Sequence, residues 1–280
     1  MQLGFSTLYW SGALGDELLP HYERLKAWGY DGVEIPVVGA ELAAVERTAR
    51  ALDELGLART AVGFCPAEAN PIDPDPAVRA RARTHLEQCL ERAEALGAEL
   101  LGGPIHSAYA EFTGLAPSAD ERAWGAEVLH AVGESAARRG LRVGVEFLNR
   151  FECYFLTTAA QTHALVRAAD HPALCTVYDT HHAHIEEDAP SAALEACAPS
   201  LGHVQLSESH RGVLGAGQVR WEETFAALRA QDYDGWFVVE SFSRHDPEHG
   251  GLLRIWRDLC ADAEAVARPA VNFVRSAWGD

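Results

Sequence analysis

Four polar side chains stand near the ends of apolar runs in the second half of the chain, and their types suit acid–base chemistry at a metal ion. They are Glu146 after Val-Gly-Val, Asp179 after Val-Tyr, Gln205 after His-Val and Glu240 after Phe-Val-Val. A carboxylate in an apolar strand is costly to bury unless it is paired, hydrogen-bonded or bound to a cation. Each one alone fits a second explanation, an acid paired with an arginine or capping a neighbouring backbone. Three carboxylates that meet at one place would repel one another, so together they predict a cation.

The donor set and its two glutamates predict an isomerase or epimerase reaction. Oxygen ligands from Glu146, Asp179, Gln205 and Glu240 favour one Mn²⁺, Mg²⁺ or Co²⁺ ion over a thiolate zinc site. Such an ion polarises a carbonyl and hydroxyl pair on a substrate. Glu146 and Glu240 are then the predicted catalytic pair. One removes a proton from the carbon next to the carbonyl, and the other returns a proton on the opposite face.

The elements that must position these residues alternate between strand and helix along the whole chain. Apolar residues recur at helical spacing over 86–96, for example, and Gly97 follows where a left-handed helix end needs it. Strands joined by helical crossovers form a parallel sheet, and eight units of about 35 residues predict a closed (β/α)8 TIM barrel of the α/β class. The eight predicted strands lie over 3–7, 33–38, 60–65, 99–104, 143–148, 175–180, 203–208 and 236–241.

We expect a single domain over residues 1–280, with a C-terminal extension over 269–280 that forms either a last helix or an interface arm. Loops over 70–76 and 109–120 are expected at the barrel mouth, where the strand ends converge. The alternative architecture, an open doubly wound sheet, predicts a glycine fingerprint after the first strand, and the sequence has none there. A nucleotide cofactor is therefore not expected.

The net charge limits the expected binding partners of the protein, and the arrangement of its cysteines indicates its cellular compartment. The chain has 41 acidic and 23 basic residues, a formal net charge of −18 at pH 7, which repels nucleic-acid phosphates and anionic lipids. Neither a nucleic acid nor a membrane is an expected partner. The 6 cysteines stand singly with no CxxC pair, and the first residues do not match a signal peptide. These features predict reduced thiols and a cytoplasmic protein.

The motifs around these residues are similar to those of a known family. The chain resembles the sugar epimerases typified by D-tagatose 3-epimerase and D-psicose (allulose) 3-epimerase, within the xylose isomerase-like TIM barrel superfamily. The resemblance covers nearly the whole barrel. The most specific segments are Val-Glu-Phe-Leu-Asn-Arg-Phe-Glu over 145–152 and Asp-Thr-His-His-Ala-His over 179–184, and further matches lie at 8–11, 102–107, 202–205, 208–211 and 215–217.

The resemblance implies roles that spacing alone does not assign. It implies that Glu146, Asp179 and Glu240 bind the metal ion and that the two glutamates are also the acid–base pair. The side chains that it places against the hydroxyl groups of a free keto sugar are Glu152, His182 and Arg211.

The resemblance also bears on the remaining pocket residues and on assembly. His106 and Trp10 either contact the sugar as further substrate-binding residues or fill the barrel mouth. The implied partner is a small-molecule sugar, and the implied assembly is a homo-oligomer, a dimer or a tetramer. No glycine-rich phosphate cradle or basic cluster is evident near the mouth, which disfavours a phosphorylated substrate.

Position 205 departs from the family pattern. The named epimerases have a histidine as their third ligand, whereas this chain has Gln205, with His203 two positions earlier on the same strand face. Glutamine is similar to what hydroxypyruvate isomerase-like and inosose dehydratase-like relatives use, so we expect metal binding to survive. The substrate is left open. Alternative reactions are hydroxypyruvate isomerisation, keto-inositol dehydration and processing of an oxidised glycoside, and a non-catalytic sugar-binding barrel is a further alternative. His203 is expected to be a packed strand histidine.

Overall fold

Eight parallel strands form a closed barrel in the order in which they occur along the chain. The computed structural model describes residues 1–279. The strands are β1 Gln2–Ser6, β2 Gly32–Pro36, β3 Ala58–Val62, β4 Leu100–Gly102, β5 Arg142–Glu146, β6 Leu174–Asp179, β7 Leu201–Leu206 and β8 Trp236–Val239. β1 pairs with both β2 and β8, which closes the sheet. The predicted (β/α)8 TIM barrel is confirmed.

Helices connect the strands and cover the outside of the barrel. They are α1 Leu19–Trp28, α2 Leu42–Leu55, α3 Pro76–Leu96, α4 Ala119–Arg138, α5 Ala159–Ala169, α6 Thr180–Glu186, α7 Pro190–Cys197, α8 Trp221–Ala230, α9 Pro247–Leu252 and α10 Ala263–Trp278. Local sequence sets several of their ends. Ser118 and Glu121 form a capping box that starts α4, and Gly97 ends α3 in the left-handed conformation with φ 72°.

A glycine turn after β4 fixes the backbone beside the fifth strand. Gly103 has a φ of 120°, and a Cβ at this position would lie 2.1 Å from the carbonyl oxygen of Gly63. Only glycine fits such a turn without a shift of the backbone. The carbonyl of Gly103 accepts the backbone N–H of Glu146 at 3.1 Å. The turn therefore holds the end of β5 in place.

The end of the chain forms a helix that packs on the barrel. The predicted C-terminal extension over 269–280 does not begin a separate unit at 269, because Pro269 lies inside α10. A buried face that includes Val271 and Val274 outweighs the backbone hydrogen bond that proline cannot donate. The ring of Trp278 lies 4.9 Å from that of Phe237 on β8. The segment is helical as far as Trp278, and a role in an interface stays a prediction; Asp280 lies outside the described residues.

Two further expectations concern cysteines and membranes. All six cysteines are free thiols in the part of the chain that the structure describes. Among residues 1–279, none of the helices combines the length and the apolar character that a membrane crossing requires.

Candidate functional site

The four strand-end residues meet at the carboxyl end of the barrel. Glu146 and Asp179 are the last residues of β5 and β6, Gln205 is the fifth residue of β7, and Glu240 follows β8 directly. Asp179 and Gln205 are paired in register across the two strands. All four side chains are buried. The convergence predicted from sequence follows from the topology, since parallel strands of a barrel end at the same mouth.

Arg211 supplies the positive charge nearest to these carboxylates. It lies in the loop after β7 with a φ of 61°, a conformation that non-glycine residues rarely adopt. Its Nη1 donates to Oδ2 of Asp179 at 2.9 Å, to Oγ of Ser207 at 2.9 Å and to Oε2 of Glu240 at 2.5 Å. From the sequence, pairing with an arginine is a second explanation for a buried strand-end acid. In the structure, Asp179 and Glu240 are each paired with Arg211 in this way. This pairing does not exclude a metal ion, because Arg211 leaves Glu146 without a direct ion pair to an arginine.

Burial and mutual repulsion favour the protonated form of the two glutamates. Burial, followed by the negative charges of Glu240 and Asp179, raises the pKa of Glu146 well above its usual value. Burial likewise raises the pKa of Glu240, although Arg211 opposes the shift. Two carboxyl groups poised in this way suit proton transfer more than a solvated pair would.

His182 lies next to Glu146 and is held from several sides. Asp179 starts α6 by accepting the backbone N–H of His182 at 3.0 Å, and the backbone N–H of Asn149 donates to Nδ1 of the ring at 3.0 Å. Its Nε2 lies 3.4 Å from Oε1 of Glu146 and 2.9 Å from Nη2 of Arg211. Burial and the neighbouring Arg211 lower the pKa of His182 well below its usual value, so the ring is neutral at pH 7.

Glu152 stands at the rim, in the segment after β5. Its Oε1 accepts a hydrogen bond from Nδ2 of Asn149 at 2.8 Å, and its Oε2 accepts one from the hydroxyl of Tyr109 at 3.2 Å. Glu152 lines the same cavity as Glu146, His182, Arg211 and Glu240, and this cavity has a volume of about 730 Å³. The three predicted sugar contacts and the predicted catalytic pair therefore share one cavity.

The residues at the strand ends fit a divalent ion. Ligand atoms of Glu146, Asp179 and His182 lie within 4.8 Å of one another, and all three side chains are buried. Within the described chain, Oε1 of Gln205 is buried and has no hydrogen-bond partner. A carbonyl oxygen left in this state costs about 1–3 kcal/mol unless a ligand satisfies it. This carbonyl oxygen belongs to the residue paired in register with Asp179, and it is a donor of the type that a hard cation binds.

Trp10 and His106 are both buried, and each contacts a neighbouring polar or aromatic residue. Trp10 stacks on His21 with ring centroids 4.2 Å apart, and Nδ1 of His106 hydrogen-bonds with the hydroxyl of Ser107 at 2.9 Å. Neither is among the described residues that line the cavity. Burial lowers the pKa of His106 to about 3, so this ring is neutral. The packing of Trp10 and His106 favours the alternative in which both side chains fill the barrel mouth. A contact between either of them and the sugar stays a prediction.

Glu34 belongs to the site but was missed by the sequence analysis. It is a fully buried carboxylate on β2 whose Oε1 accepts a hydrogen bond from Nε2 of Gln205 at 3.0 Å and whose Oε2 accepts one from Nε2 of His203 at 3.0 Å. The signal was present in the sequence, since Glu34 interrupts the apolar run Val-Glu-Ile just as Glu146 interrupts another. His203 is buried in strand β7, as expected, and has a polar partner.

Comparisons with known proteins identify the family of the chain. The D-psicose 3-epimerase of Agrobacterium fabrum is 30% identical, with 100% of each chain covered. The ketose 3-epimerase of Arthrobacter globiformis is 32% identical over 98% of this chain and 96% of its own. The solved structure of D-allulose 3-epimerase from Methylomonas sp. in complex with D-allulose is 29% identical, covers 99% of this chain and 96% of that one, and superposes with a TM-score of 0.92. Residues 22–276 match the xylose isomerase-like TIM barrel family. The resemblance drawn from the motifs is thereby confirmed, and the chain belongs to the xylose isomerase-like TIM barrel family.

Proposed function

We propose that this protein is a divalent-metal-dependent ketose 3-epimerase that acts on a free sugar. The observation that carries the proposal is the presence of two buried glutamates, Glu146 and Glu240, on the wall of one cavity. The names of the relatives, D-psicose 3-epimerase and ketose 3-epimerase, support the reaction type.

In this proposal the two glutamates exchange a proton with C3 of the sugar from opposite faces. One carboxylate removes the C3 proton, and the carboxyl group across the cavity delivers a proton to the other face, which inverts the carbon. The raised pKa values of both groups suit these roles, because each group must be able to hold the proton that it transfers. His182, Arg211 and Glu152 orient the sugar by hydrogen bonds to its hydroxyl groups.

The proposed ligands of the ion are Glu146, Asp179, Gln205 and Glu240. When bound, the ion would polarise the carbonyl of the sugar and the hydroxyl group on C3. Four oxygen donors favour Mn²⁺, Mg²⁺ or Co²⁺, in line with the prediction from sequence. The orphaned Oε1 of Gln205 supports its place in this set. The cluster of ligand atoms from Glu146, Asp179 and His182 supports the places of Glu146 and Asp179.

An unphosphorylated substrate fits the charge of the cavity. Of residues 1–279, Arg211 is the one lysine or arginine that lines the cavity, and its guanidinium already contacts Asp179 and Glu240. A phosphate group would meet carboxylates there without a free cation. The curated relatives support ketoses such as D-psicose and L-ribulose as the substrates to test.

Solvent exchange tests the proposal directly. Mn²⁺-loaded protein is incubated in D₂O with D-fructose, D-tagatose, L-ribulose or D-psicose, and products are followed by NMR. We expect deuterium at C3 together with the C3 epimer for at least one sugar, and neither after removal of the metal with EDTA. Absence of both exchange and epimer with all four ketoses would overturn the proposal.

The amide of Gln205 favours a second group of reactions, because the resemblance links glutamine at this position to relatives that are not ketose 3-epimerases. One relative has another activity in its name: the 3-dehydro-D-guloside 4-epimerase of Escherichia coli is 29% identical over 83% of this chain. Hydroxypyruvate isomerisation, keto-inositol dehydration and processing of an oxidised glycoside are tested by product analysis with the corresponding substrates. Saturable binding of a ketose with no reaction of any substrate would instead support a non-catalytic sugar-binding barrel.

The proposal also covers the oligomeric state of the protein and its cellular compartment. We propose a homo-oligomer, a dimer or a tetramer, in a reducing cytoplasm, the latter supported by the six free thiols. Of the C-terminal aromatic residues, Trp256 is 73% exposed, whereas Phe273 packs against Trp221 with ring centroids 5.3 Å apart. Mass measurement in solution gives the oligomeric state.

A further inference from the structure

We propose that Glu34 is a positioning residue that orients the amide of Gln205, so that its oxygen faces the metal ion. The inference rests on the proposed function, since it concerns the ion bound by that site. It assigns a role to a carboxylate that is not among the described residues lining the cavity.

The contact crosses the interior of the barrel. Glu34 lies on β2 and Gln205 on β7, strands that are not neighbours in the sheet. Oε1 of Glu34 accepts a hydrogen bond from Nε2 of Gln205 at 3.0 Å. Both side chains are buried, with 0% and 1% of their surface exposed, so water does not compete for this hydrogen bond.

The hydrogen bond between the carboxylate of Glu34 and the amide of Gln205 fixes the orientation of the amide. An ionised carboxylate only accepts hydrogen bonds, and the amide of glutamine has a donor end and an acceptor end. In the structure the NH₂ end of Gln205 faces Glu34, so Oε1 points the other way. That oxygen has no partner anywhere in residues 1–279. A buried carbonyl oxygen without a partner is costly, and a glutamine carbonyl is a ligand that hard cations accept.

Glu34 is itself held in place through its second oxygen. Oε2 accepts hydrogen bonds from Nε2 of His203 at 3.0 Å and from the hydroxyl of Thr60 at 3.2 Å. His203 and Gln205 are two positions apart on β7, so one carboxylate ties together two neighbouring inward side chains. From the sequence, His203 is expected to be a packed strand histidine. In this inference it supports the proposed ligand Gln205 by holding Glu34. Partners of this kind typically change metal affinity by about 10–100-fold.

A double-mutant cycle on Mn²⁺ affinity tests the inference. The full-length wild type, Glu34→Gln, Gln205→Met and the double variant are titrated with Mn²⁺ by calorimetry, and Mn²⁺ is the probe throughout. We expect Glu34→Gln to weaken binding by about 10-fold or more. The same change in the Gln205→Met background is expected to have less than a 2-fold effect, because the amide through which it acts is gone. Thr60→Val, which removes one hydrogen bond and keeps the Gln205 contact, is the matched control and should stay within about 3-fold.

Stability and activity readouts separate the possible failures. A general structural role would lower the unfolding temperature measured in EDTA and weaken Mn²⁺ binding equally in both backgrounds, which would overturn the inference. Wild-type affinity in Glu34→Gln would also overturn it. If this variant does not fold, Glu34→Asp, which draws the carboxylate back from Gln205, is measured in the same cycle. Coupled loss of affinity in a protein that epimerises no ketose would sustain the inference while the proposed function fails. A wild type that binds no Mn²⁺ overturns the inference.

Discussion

The guanidinium of Arg211 lies against the carboxylate of Asp179, with Nη1 2.9 Å from Oδ2. The same nitrogen reaches Glu240, so one cation joins two of the proposed metal ligands. Breaking a buried pair by removing one partner is strongly destabilising, because the other charge is left buried and unpaired. We therefore expect Arg211 to affect both the stability of the protein and its response to added metal.

Replacement of Arg211 by methionine tests this coupling. In EDTA we expect Arg211→Met to lower the free energy of unfolding by about 3 kcal/mol, since Asp179 and Glu240 lose their cation. Added Mn²⁺ should raise the unfolding temperature of the variant by more than that of the wild type, because the metal ion restores the missing positive charge. Arg268→Met is the matched control, because Arg268 forms an exposed pair with Glu264 and should cost less than about 1 kcal/mol. Equal metal-induced shifts in wild type and Arg211→Met would contradict the prediction.

Replacement of either proposed catalytic glutamate should remove epimerisation. We expect Glu146→Gln and Glu240→Gln each to lower kcat by about 10³-fold or more, since an amide cannot exchange the C3 proton. Each variant should exchange deuterium with at most one of two C3 epimers, because the remaining carboxylate reaches only one face. Rates come from NMR in D₂O. Glu195→Gln, an exposed site on α7, is the control. Epimer interconversion near the wild-type rate in either variant would count against the two-base reaction.

Removal of metal should lower both activity and stability. We expect dialysis against EDTA to abolish exchange at C3 and Mn²⁺ to restore it. A ligand at 100 times its Kd stabilises the folded protein by about 2.7 kcal/mol, so the unfolding temperature should rise with Mn²⁺ concentration. Differential scanning calorimetry over a Mn²⁺ series measures this. A chelated protein with full activity would exclude a required metal.

Glu208 gives a pH-dependent prediction away from the proposed chemistry. Its carboxylate organises the loop that carries Arg211, and it accepts N–H groups from Ser209, Gly215, Gln218, Val219 and the Trp221 ring. Burial alone would raise the pKa of Glu208, but the hydrogen bonds from these donors outweigh it and lower the pKa below its usual value. The stabilisation is therefore complete above the unfolded-state pKa and is lost as the pH falls through the lower folded-state pKa.

We expect Glu208→Gln to cost about 2–3 kcal/mol at pH 7, because one amide NH₂ replaces an oxygen that faces donors. The difference between wild type and variant should narrow at low pH, where the wild-type carboxylate is protonated. Urea unfolding at several pH values measures both. Glu54→Gln, at an exposed site on α2, should change stability by less than about 0.5 kcal/mol. A difference that stays constant with pH would argue against the ionised form of Glu208 as the source of stability.

The sequence by itself determined the architecture and the place of the site. Alternating strands and helices with glycine at helix ends are local features, and local features suffice to predict parallel crossovers and a barrel. Topology then brings the ends of consecutive strands together, so Glu146, Asp179, Gln205 and Glu240 could be grouped without knowledge of any side-chain contact.

Only the tertiary structure decided which groups touch across the barrel. Glu34 and His203 are 169 positions apart in the chain, and closure of the sheet brings their side chains to 3.0 Å. The position of Arg211 between Asp179 and Glu240 likewise depends on a loop conformation that Glu208 holds, and no spacing rule encodes it. The last helix runs from Ala263 through Pro269 to Trp278, and the ring of Trp278 packs on Phe237 of β8. Such contacts depend on how the strands tilt and stagger on closure, a property of the whole barrel that no local segment specifies.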